Sequence, residues 1–517
     1  MSWAEVMRLP DAHIWKAAIK KELMELYKLS AFKVAALPSN RKPVKHKWVF
    51  RRKRLANGCI ERYKARIVAR GYTQIPGVDY NEVFASVIRP ESVKLLLAIA
   101  QQKGLRAYQL DIGNAFLNAK LKEEVYLTVP EGFEMLVDAG LFPKPCGSDV
   151  WQLLACVPGL HQSGREWQQE KGATLIEAGF YRSKHDPNVY YDSSRTTYIG
   201  VYTDDDLVIC KGDKEYAGVV SLLQAKYRVT DLGTVSYFLG VEFDCSEKGI
   251  KLTQTKYITR LLEDEGFMDC KIARTPMVAG LRPEDVAASP LLDEHTKYRS
   301  LVGALLYVAR WTRPDIAFAI SFCGRFCSKP TVLAMQAVKR VFCYLRGTLS
   351  FGISYFCAND GPPVLLGYCD SDYAADATDR KSVNGYIFFL GPCIISWMSK
   401  KQDVVATSTT EAEYISLFVA SQEAMFLRGI VGEMTDSAPQ TITIMCDNNG
   451  AVALAKNPVF HKRSKHIDVK YHAIRERIQN KSISVARVDT HENVADCFTK
   501  PLPAVTFSAL AEKLVVK

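Results

Sequence analysis

Two short segments in the first half of the chain combine apolar, strand-like patterns with carboxylates. One is QLDIGNAF, residues 109–116, which contains Asp111, and the other is YTDDDLV, residues 202–208, which contains Asp204 to Asp206. Carboxylates packed beside apolar strands repel one another and lose hydration unless cations neutralise them, and hard oxygen ligands suit Mg²⁺. Two such ions, about 3.5–4 Å apart, would activate a primer 3′-hydroxyl and stabilise a leaving pyrophosphate, which is nucleotidyl transfer. Either segment alone is also typical of a solvated acidic turn, so that alternative stays open here.

A second set of spaced acids lies in the last third of the chain. Asp370 in GYCDSDYA and Asp447 in TIMCDNNGAV end strand-like runs, Glu413 lies in the helical pattern STTEAEY, and Asp496 lies in THENVADCFTK. Two acids at strand ends and two on helices are typical of a two-metal nuclease, in which the ions activate a water molecule.

The choice of Glu413 over Glu411 follows from helix geometry. Ser408 and Glu411 form a capping box, which gives Glu411 a structural role at the start of the helix. Glu413 lies about 200° further around the helix and therefore points elsewhere. Asp372, two residues after Asp370, is expected to be its surface neighbour.

Apolar periodicity places the acids in mixed α and β surroundings. In the first half we predict helices over 14–29, 92–101 and 167–178 and strands over 107–112 and 198–210, the last as two strands joined by a tight acidic turn. Residues 41–71 hold twelve Lys or Arg and one acid in an alternating pattern, which predicts a basic hairpin with its turn at Asn57-Gly58. A hairpin of this kind is also typical of a solvated face.

The second half changes from helices to strands. Helices are predicted over 298–310, 314–325 and 332–346, and strands over 364–369, 385–390 and 394–398. A long helix from Thr409, strands over 441–446 and 483–488 and a last helix complete a separate α/β domain.

Length and composition bound the class of protein. The 517 residues predict two to four domains, and 48% hydrophobic with 24% charged residues is typical of a packed globular chain. The net charge of +11 suits a polyanionic partner. The chain shows no signal-peptide pattern, no apolar run of membrane-spanning length and no zinc spacing among its fourteen cysteines. We therefore expect an intracellular protein with reduced thiols and no membrane partner.

The motifs together resemble the reverse transcriptase and RNase H region of copia-type (Pseudoviridae) LTR-retrotransposon Pol polyproteins. YTDDD is similar to the Y-x-D-D box of reverse transcriptases, and the matching segments, in family order, are WVFRRKRLANGCIERYKARIVARGYTQIPGVDYNEVFASV, QLDIGNAFLNAKLKEEVYLTVPEGF, GLHQSGREW, DLGTVSYFLGVEF and YRSLVGALLYVARWTRPDIAFA. The resemblance implies an α+β fold, a right-hand polymerase followed by an α/β RNase H-like domain. It implies fingers and palm over 1–245, thumb and connection over 246–360, and the RNase H-like domain over 361–517.

The resemblance also implies roles for residues of the first cluster. Asp111, Asp204 and Asp205 would bind metal and catalyse, and Phe116 would exclude a ribose 2′-hydroxyl from the sugar pocket. The Leu239-Gly240 turn resembles the primer grip. The implied substrate-binding residues are Lys64, Arg66, Phe116, Gln162 and Tyr202.

For the second cluster the resemblance implies an RNase H site. Its catalytic and metal-binding residues would be Asp370, Glu413, Asp447 and Asp496. His491 would assist proton transfer or product release, and a solvated loop histidine is the alternative. In segment 460–472, FHKRSKHIDVKYH, the histidines are five and six residues apart and do not share a helical face, so we expect contact with a hybrid backbone and not a zinc site.

The implied function is RNA-directed DNA polymerisation with dNTPs and two Mg²⁺ ions per active site, coupled to cleavage of RNA in RNA–DNA hybrids. The implied partners are an RNA template, a DNA primer strand, the hybrid and a tRNA-type primer, in the cytoplasm (a virus-like particle) or the nucleus. No zinc knuckle, HHCC pattern or Asp-Thr/Ser-Gly protease motif is visible, so we expect the chain to correspond to the C-terminal part of such a polyprotein.

The sequence departs from the family pattern at two places near the first cluster. Asp206 stands where the family has an apolar residue, and we expect it to add repulsion beside the metal pair. Pro158 and His161, in a patch that includes Val157, replace a customary Tyr and Lys before Gln162. Two alternatives therefore stay open: a decayed, non-catalytic nucleic-acid-binding remnant, and a protein with RNase H activity only.

Overall fold

A computed structural model of the chain describes residues 1–54, 59–147, 149–357, 364–436, 440–456 and 468–516. The predicted turn at Asn57-Gly58 lies outside the described residues, and so do His461 and His466 of the segment 460–472.

The first part of the chain alternates short sheets with helices. In order, its elements are α1 (Trp3–Met7), α2 (Ala12–Lys28), β1 (Phe32–Ala36), β2 (His46–Arg54), β3 (Ile60–Ala69), α3 (Pro90–Gln102), β4 (Arg106–Ile112), β5 (Lys120–Thr128), α4 (Glu134–Val137), β6 (Asp149–Ala155), α5 (Ser163–Glu177), β7 (Tyr181–Arg182), β8 (Val189–Tyr191), β9 (Tyr198–Tyr202), β10 (Asp205–Cys210), α6 (Asp213–Gln224) and β11 (Val229–Thr234). The basic hairpin is present as the antiparallel pair β2 and β3, beside a three-stranded sheet in the order β1-β6-β5. Helix α2 buries Trp15, Ile19 and Leu23, which lie four residues apart on one face, against the core under the hairpin.

A six-stranded antiparallel sheet in the order β11-β4-β10-β9-β8-β7 lies where the resemblance implies the palm. Ala107, Leu207 and Ile209 face a core shared with α3. The alternate residues Leu110 and Val208 face a second core shared with α5 and α6. Because side chains alternate between the two faces of a strand, the covering helices define which face each acid occupies.

The middle part contains β12 (Tyr237–Phe238), β13 (Val241–Ser246), β14 (Gly249–Thr253), α7 (Thr255–Asp264), α8 (Pro283–Ala288), α9 (His295–Trp311), α10 (Ala317–Gly324), α11 (Val332–Gly347) and β15 (Ile353–Tyr355). The helix predicted over 314–325 begins as a 3-10 turn, Pro314–Ile316, before α10. The strands β12 to β15 form one four-stranded sheet across this part, which patterning of 246–360 did not predict.

The last part contains β16 (Leu365–Ser371), β17 (Val383–Leu390), β18 (Cys393–Lys401), α12 (Thr409–Thr435), β19 (Ile442–Cys446), α13 (Asn449–Lys456), α14 (Asp468–Gln479), β20 (Ile483–Arg487) and α15 (Ala504–Ala511). Its sheet has the order β18-β17-β16-β19-β20, antiparallel on one side of β16 and parallel on the other. The predicted α+β fold with a following α/β domain is confirmed.

The last domain packs directly on the palm. One apolar core contains residues of α3, of the sheet β12 to β15 and of α12. Tyr198 donates a hydrogen bond to the backbone oxygen of Met434 at 2.6 Å, and Trp397 Nε1 donates to that of Ala309 at 2.9 Å. The predicted boundary at 245 falls inside β13, and that at 360 falls on residues that are not described, so the boundaries stay a prediction.

Helix α12 is the one helix among the described residues that is long and apolar enough to cross a membrane by composition alone. In the structure it packs against β16, β17 and β19 and carries Glu413 into the domain interior.

Candidate active sites

The two acidic segments of the palm meet at the end of β4 and the β9–β10 turn. Asp111 and Asp205 are register partners in the antiparallel pair β4 and β10, and the amide of Ile112 donates a hydrogen bond of 2.7 Å to the backbone oxygen of Asp204. Asp111 and Asp204 line one cavity of about 540 Å³. The carboxylates of Asp111, Asp204 and Asp205, all in described segments, do not converge as a set of three within 4.8 Å of one another.

Electrostatic repulsion among the palm acids is visible in Asp205. Burial, with the nearby charges of Asp204 and Asp111, raises the pKa of Asp205 to about 6. Gln109 Nε2 lies 3.5 Å from its Oδ1 as a weak donor. A divalent cation held by Asp111 and Asp204 would relieve this repulsion, so the donor set fits a hard metal ion.

Basic side chains also line the same cavity. Lys64 and Arg66, predicted as substrate-binding residues, both line it, together with Lys53, Arg62 and Arg228. Burial and the charge of Arg66 lower the pKa of Lys64. The cavity lining therefore combines carboxylates with cationic side chains.

Helix α2 adds two acids to the cavity that the sequence did not predict. Glu22 and Glu25 line it, and burial raises the pKa of Glu22 to about 7, partly offset by Arg66. Glu25 lies 3.6 Å from Arg228 as an ion pair. The i, i+3 spacing of these acids on α2 was a signal that they share a face.

Three other predicted palm residues lie away from the cavity lining. Phe116, in a 3-10 turn, is half-buried against the palm core, and Tyr202 is half-buried at the end of β9. Gln162 is fully buried and donates from Nε2 to the backbone oxygen of Asp79 at 2.8 Å. Their substrate-binding roles stay predictions.

The departures near the first cluster have structural partners. Asp206 is fully buried on the sheet face opposite to that of Asp205, 2.5 Å from Lys171 Nζ. Its charge is still one of the smaller causes that raise the pKa of Asp205, after burial and the charges of Asp204 and Asp111, so the expected extra repulsion is present, with Lys171 as its counter-charge. The altered patch before Gln162 is a close backbone junction, since the backbone oxygen of Pro158 accepts from the amide of Ala69 at 2.8 Å.

The second cluster converges as two groups that share Asp447. Cys369 and Cys446 are register partners in the parallel pair β16 and β19, so Asp370 and Asp447 emerge side by side. Ligand atoms of Asp370, Asp447 and Asp496 lie within 4.8 Å of one another, and Glu413, Cys446 and Asp447 form a second such group.

Burial and mutual repulsion dominate the electrostatics of this cluster. Burial, then the charge of Asp370, raises the pKa of Glu413 to about 11 and that of Asp496 to about 7, and the pKa of Asp447 is raised for the same reasons. Buried carboxylates at this density are a donor set that a divalent cation would stabilise.

Helix capping separates the two glutamates of α12. Ser408 Oγ accepts from the amide of Glu411 at 3.2 Å, and Glu411 Oε2 accepts from the amide of Thr407 at 2.8 Å. Glu413 instead joins the carboxylate cluster. Asp372 is half-buried, accepts a hydrogen bond from the amide of Val383, and has its pKa raised by burial to about 6, so the expectation of a surface neighbour is wrong.

The sequence missed a cation in this cluster, and the predicted histidine lies outside it. Lys500 Nζ lies 2.9 Å from Asp496 Oδ1 and 3.9 Å from Asp370 Oδ2. Its i, i+4 spacing from Asp496 was the available signal. His491 is exposed and belongs to neither ligand group, so its role stays a prediction.

Comparison with known proteins identifies the family. Residues 29–279 match the family described as reverse transcriptase (RNA-dependent DNA polymerase). The chain is 32% identical to the putative transposon Ty5-1 protein of Saccharomyces cerevisiae, over 59% of this chain and 97% of that protein. The chain belongs to the copia-type retrotransposon Pol family.

This Pol chain also resembles longer relatives. It is 34% identical to the retrovirus-related Pol polyprotein from transposon TNT 1-94 of Nicotiana tabacum over 99% of its own length, and it spans 38% of that polyprotein. A solved structure of a foamy viral protease-reverse transcriptase in complex with dsDNA is similar at a TM-score of 0.46 and 13% identity, covering 92% of the Pol chain and 83% of that chain.

Proposed function

We propose that this Pol chain is an RNA-directed DNA polymerase that uses dNTPs, coupled to an RNase H that cleaves RNA in RNA–DNA hybrids. Each of its two sites would hold two Mg²⁺ ions. Its partners would be an RNA template, a DNA primer strand and, by family, a tRNA-type primer.

The observation that carries the polymerase proposal is that one palm cavity is lined by both carboxylates and cationic side chains. Asp111 and Asp204 can hold metal, while Lys64 and Arg66 in the same lining can bind a triphosphate, Arg66 through paired donors and Lys64 as a point charge. A cavity of about 540 Å³ is large enough for a nucleotide.

The RNase H proposal is supported by the convergence of the ligand atoms of Asp370, Asp447 and Asp496. Glu413 belongs to a second ligand group that also contains Asp447. When bound, Mg²⁺ would activate the primer 3′-hydroxyl in the palm and a water molecule in the RNase H site. The carboxylates of the chain would hold these ions, and Lys500 neutralises part of the carboxylate charge of the RNase H-like cluster through its ion pair with Asp496.

Paired variants test both activities on the full chain. Asp204→Asn should abolish primer extension on an RNA template and leave hybrid cleavage intact, and Asp447→Asn should do the reverse. Each variant is the folding control for the other, because the second activity reports an intact chain. If both variants kept both activities, the proposal would be contradicted.

A second candidate is RNase H activity alone. It is favoured by one observation: the nuclease carboxylates converge as ligand groups, and the palm carboxylates do not. This candidate predicts hybrid cleavage that requires Asp447, with no extension above background at any Mg²⁺ or dNTP concentration. A remnant without catalysis predicts neither activity, with salt-sensitive binding to the hybrid.

A further inference from the structure

The alternation of side chains along β10 sends Asp205 and Asp206 to opposite faces of the palm sheet. Asp205 shares its face with Leu207 and Ile209, toward α3. Asp206 shares its face with Val208 and Cys210, which pack in the core that contains Trp167 of α5. Asp206 therefore cannot reach the cavity that Asp111 and Asp204 line without a change in the strand.

Asp206 forms a buried ion pair with Lys171. Lys171 Nζ lies 2.5 Å from Asp206 Oδ1, and the two side chains are 1% and 0% exposed. Removing either partner of such a pair leaves an uncompensated buried charge, whereas replacing both with apolar residues of similar volume is tolerated.

The same face of α5 also contacts Thr203, at the start of the β9–β10 turn. Trp167, four residues before Lys171, donates from Nε1 to the backbone oxygen of Thr203 at 2.7 Å. Thr203 has a φ of +53°, a left-handed conformation that costs energy for a β-branched residue and persists only when its surroundings enforce it. Lys171 Nζ lies 5.6 Å from the Trp167 ring centre, so the two contacts support each other.

Close approach of α5 to the sheet is required for both contacts. A Cβ added at Gly172 would lie 2.7 Å from the hydroxyl of Tyr190 on β8. Glycine at this position lets the helix approach the sheet closely beside Lys171.

We infer that Lys171, Asp206 and Trp167 are positioning residues that fix Asp204 at the mouth of the palm cavity, and that Asp206 is not a metal ligand. Asp204 lies between the two points that α5 holds, Thr203 and Asp206, while its own backbone oxygen is held by Ile112. The acid at position 206 is thus one half of a compensated pair and does not indicate decay of the site. This inference rests on the proposed polymerase function.

A double-mutant cycle on the full chain tests the pair. Lys171→Met and Asp206→Leu should each lower kcat for primer extension at least about tenfold and raise the Mg²⁺ concentration needed for half-maximal extension, because each leaves a buried charge under the turn. The double variant should recover to within about threefold of wild type. Lys226→Met is the matched control, since it removes a partly exposed ion pair that Lys226, which follows α6, makes with Glu170 of α5.

Hybrid cleavage by the wild type, the two single variants, the double variant and the control reports whether the chain is folded, independently of the palm. We expect the cleavage rate to be the same in all five proteins. Single variants that extend as well as Lys226→Met would overturn the inference. A double variant as impaired as the singles would also overturn it, because the charge of Asp206 itself would then be needed.

Binding of Mn²⁺, followed by electron paramagnetic resonance in an Asp447→Asn background, decides the inference even if the wild type fails to extend a primer. That failure would count against the proposed function alone. The inference predicts weaker palm binding in Asp204→Asn and unchanged binding in the double variant. Equal weakening in the double variant would identify Asp206 as a ligand and overturn the inference.

Discussion

Replacing Glu413 by glutamine should stabilise the metal-free protein while destroying RNase H activity. Burial and the neighbouring carboxylates raise the pKa of Glu413 to about 11 from an ordinary 4.5, so the folded chain without metal holds this group protonated at neutral pH. The unfolded chain releases that proton above about pH 4.5. Glutamine has the shape of the protonated acid and binds no proton in either state.

The size of the effect follows from proton linkage. Stability that depends on Glu413 is fully present below its unfolded pKa and is lost as the pH rises toward its folded pKa, at about 1.4 kcal/mol per pH unit. From pH 4.5 to pH 7 the loss is roughly 3 kcal/mol, an upper value because the domain can relax around the charge. Asp496 and Asp447, whose pKa values are also raised, act in the same direction.

Calorimetry in EDTA between pH 5 and pH 8 checks this, with hydrogen exchange of β16 and β19 to assign the transition to the RNase H-like domain. Glu413→Gln should unfold at a higher temperature than wild type at pH 7, with a flatter pH dependence. Added Mg²⁺ should stabilise wild type much more than the variant. A variant less stable than wild type in EDTA, or one with the wild-type pH slope, would refute the reasoning.

Three further predictions concern other parts of the chain. Arg313 and Asp315 are both fully buried and form an ion pair at 2.7 Å. Arg313→Met should lower the free energy of unfolding by roughly 3–5 kcal/mol in chemical denaturation. The side chain of Arg260 is 80% exposed, so Arg260→Met should change that free energy by less than about 0.5 kcal/mol. Lys64→Gln and Arg66→Gln should each raise the KM for dNTP about tenfold in primer extension without affecting hybrid cleavage, and Arg66→Lys should have a smaller effect. Gly240 has a φ of +79°, and an added Cβ would lie 2.1 Å from the Tyr307 hydroxyl, so Gly240→Ala should lower the melting temperature. Gly218 in α6 has open space around the position of an added Cβ, so Gly218→Ala should not lower it.

The carboxylate cluster of Asp370, Glu413, Asp447 and Asp496 was predictable from sequence because local rules determine it. Asp370 and Asp447 each follow a strand-like run, and parallel neighbouring strands bring such positions to one edge of a sheet. The capping residue Ser408 separates Glu411 from Glu413. Lys500 was within reach of the same reasoning, four residues after Asp496, and was missed.

The palm site depends on partners that are distant in sequence. The alternation of side chains along a strand was enough to predict that Asp206 and Asp205 lie on opposite faces of the sheet. The ion-pair partner of Asp206, Lys171, lies 35 residues earlier, and no local pattern identifies that partner. The acids of α2 reach the cavity only because that helix packs on the basic hairpin. The apolar core that α3 shares with the last domain also consists of long-range contacts. Local patterns do not reveal such contacts, and the predicted boundary at 245 therefore divides β13.

The most direct test of the account is a crystal structure of the full chain with an RNA–DNA template-primer, a non-hydrolysable dNTP and Mn²⁺, with anomalous scattering to locate the metal. The account predicts metal peaks between Asp111 and Asp204 and among Asp370, Glu413, Asp447 and Asp496, with the triphosphate on Lys64 and Arg66. A bound template-primer with no metal peak at Asp111 and Asp204 would contradict it.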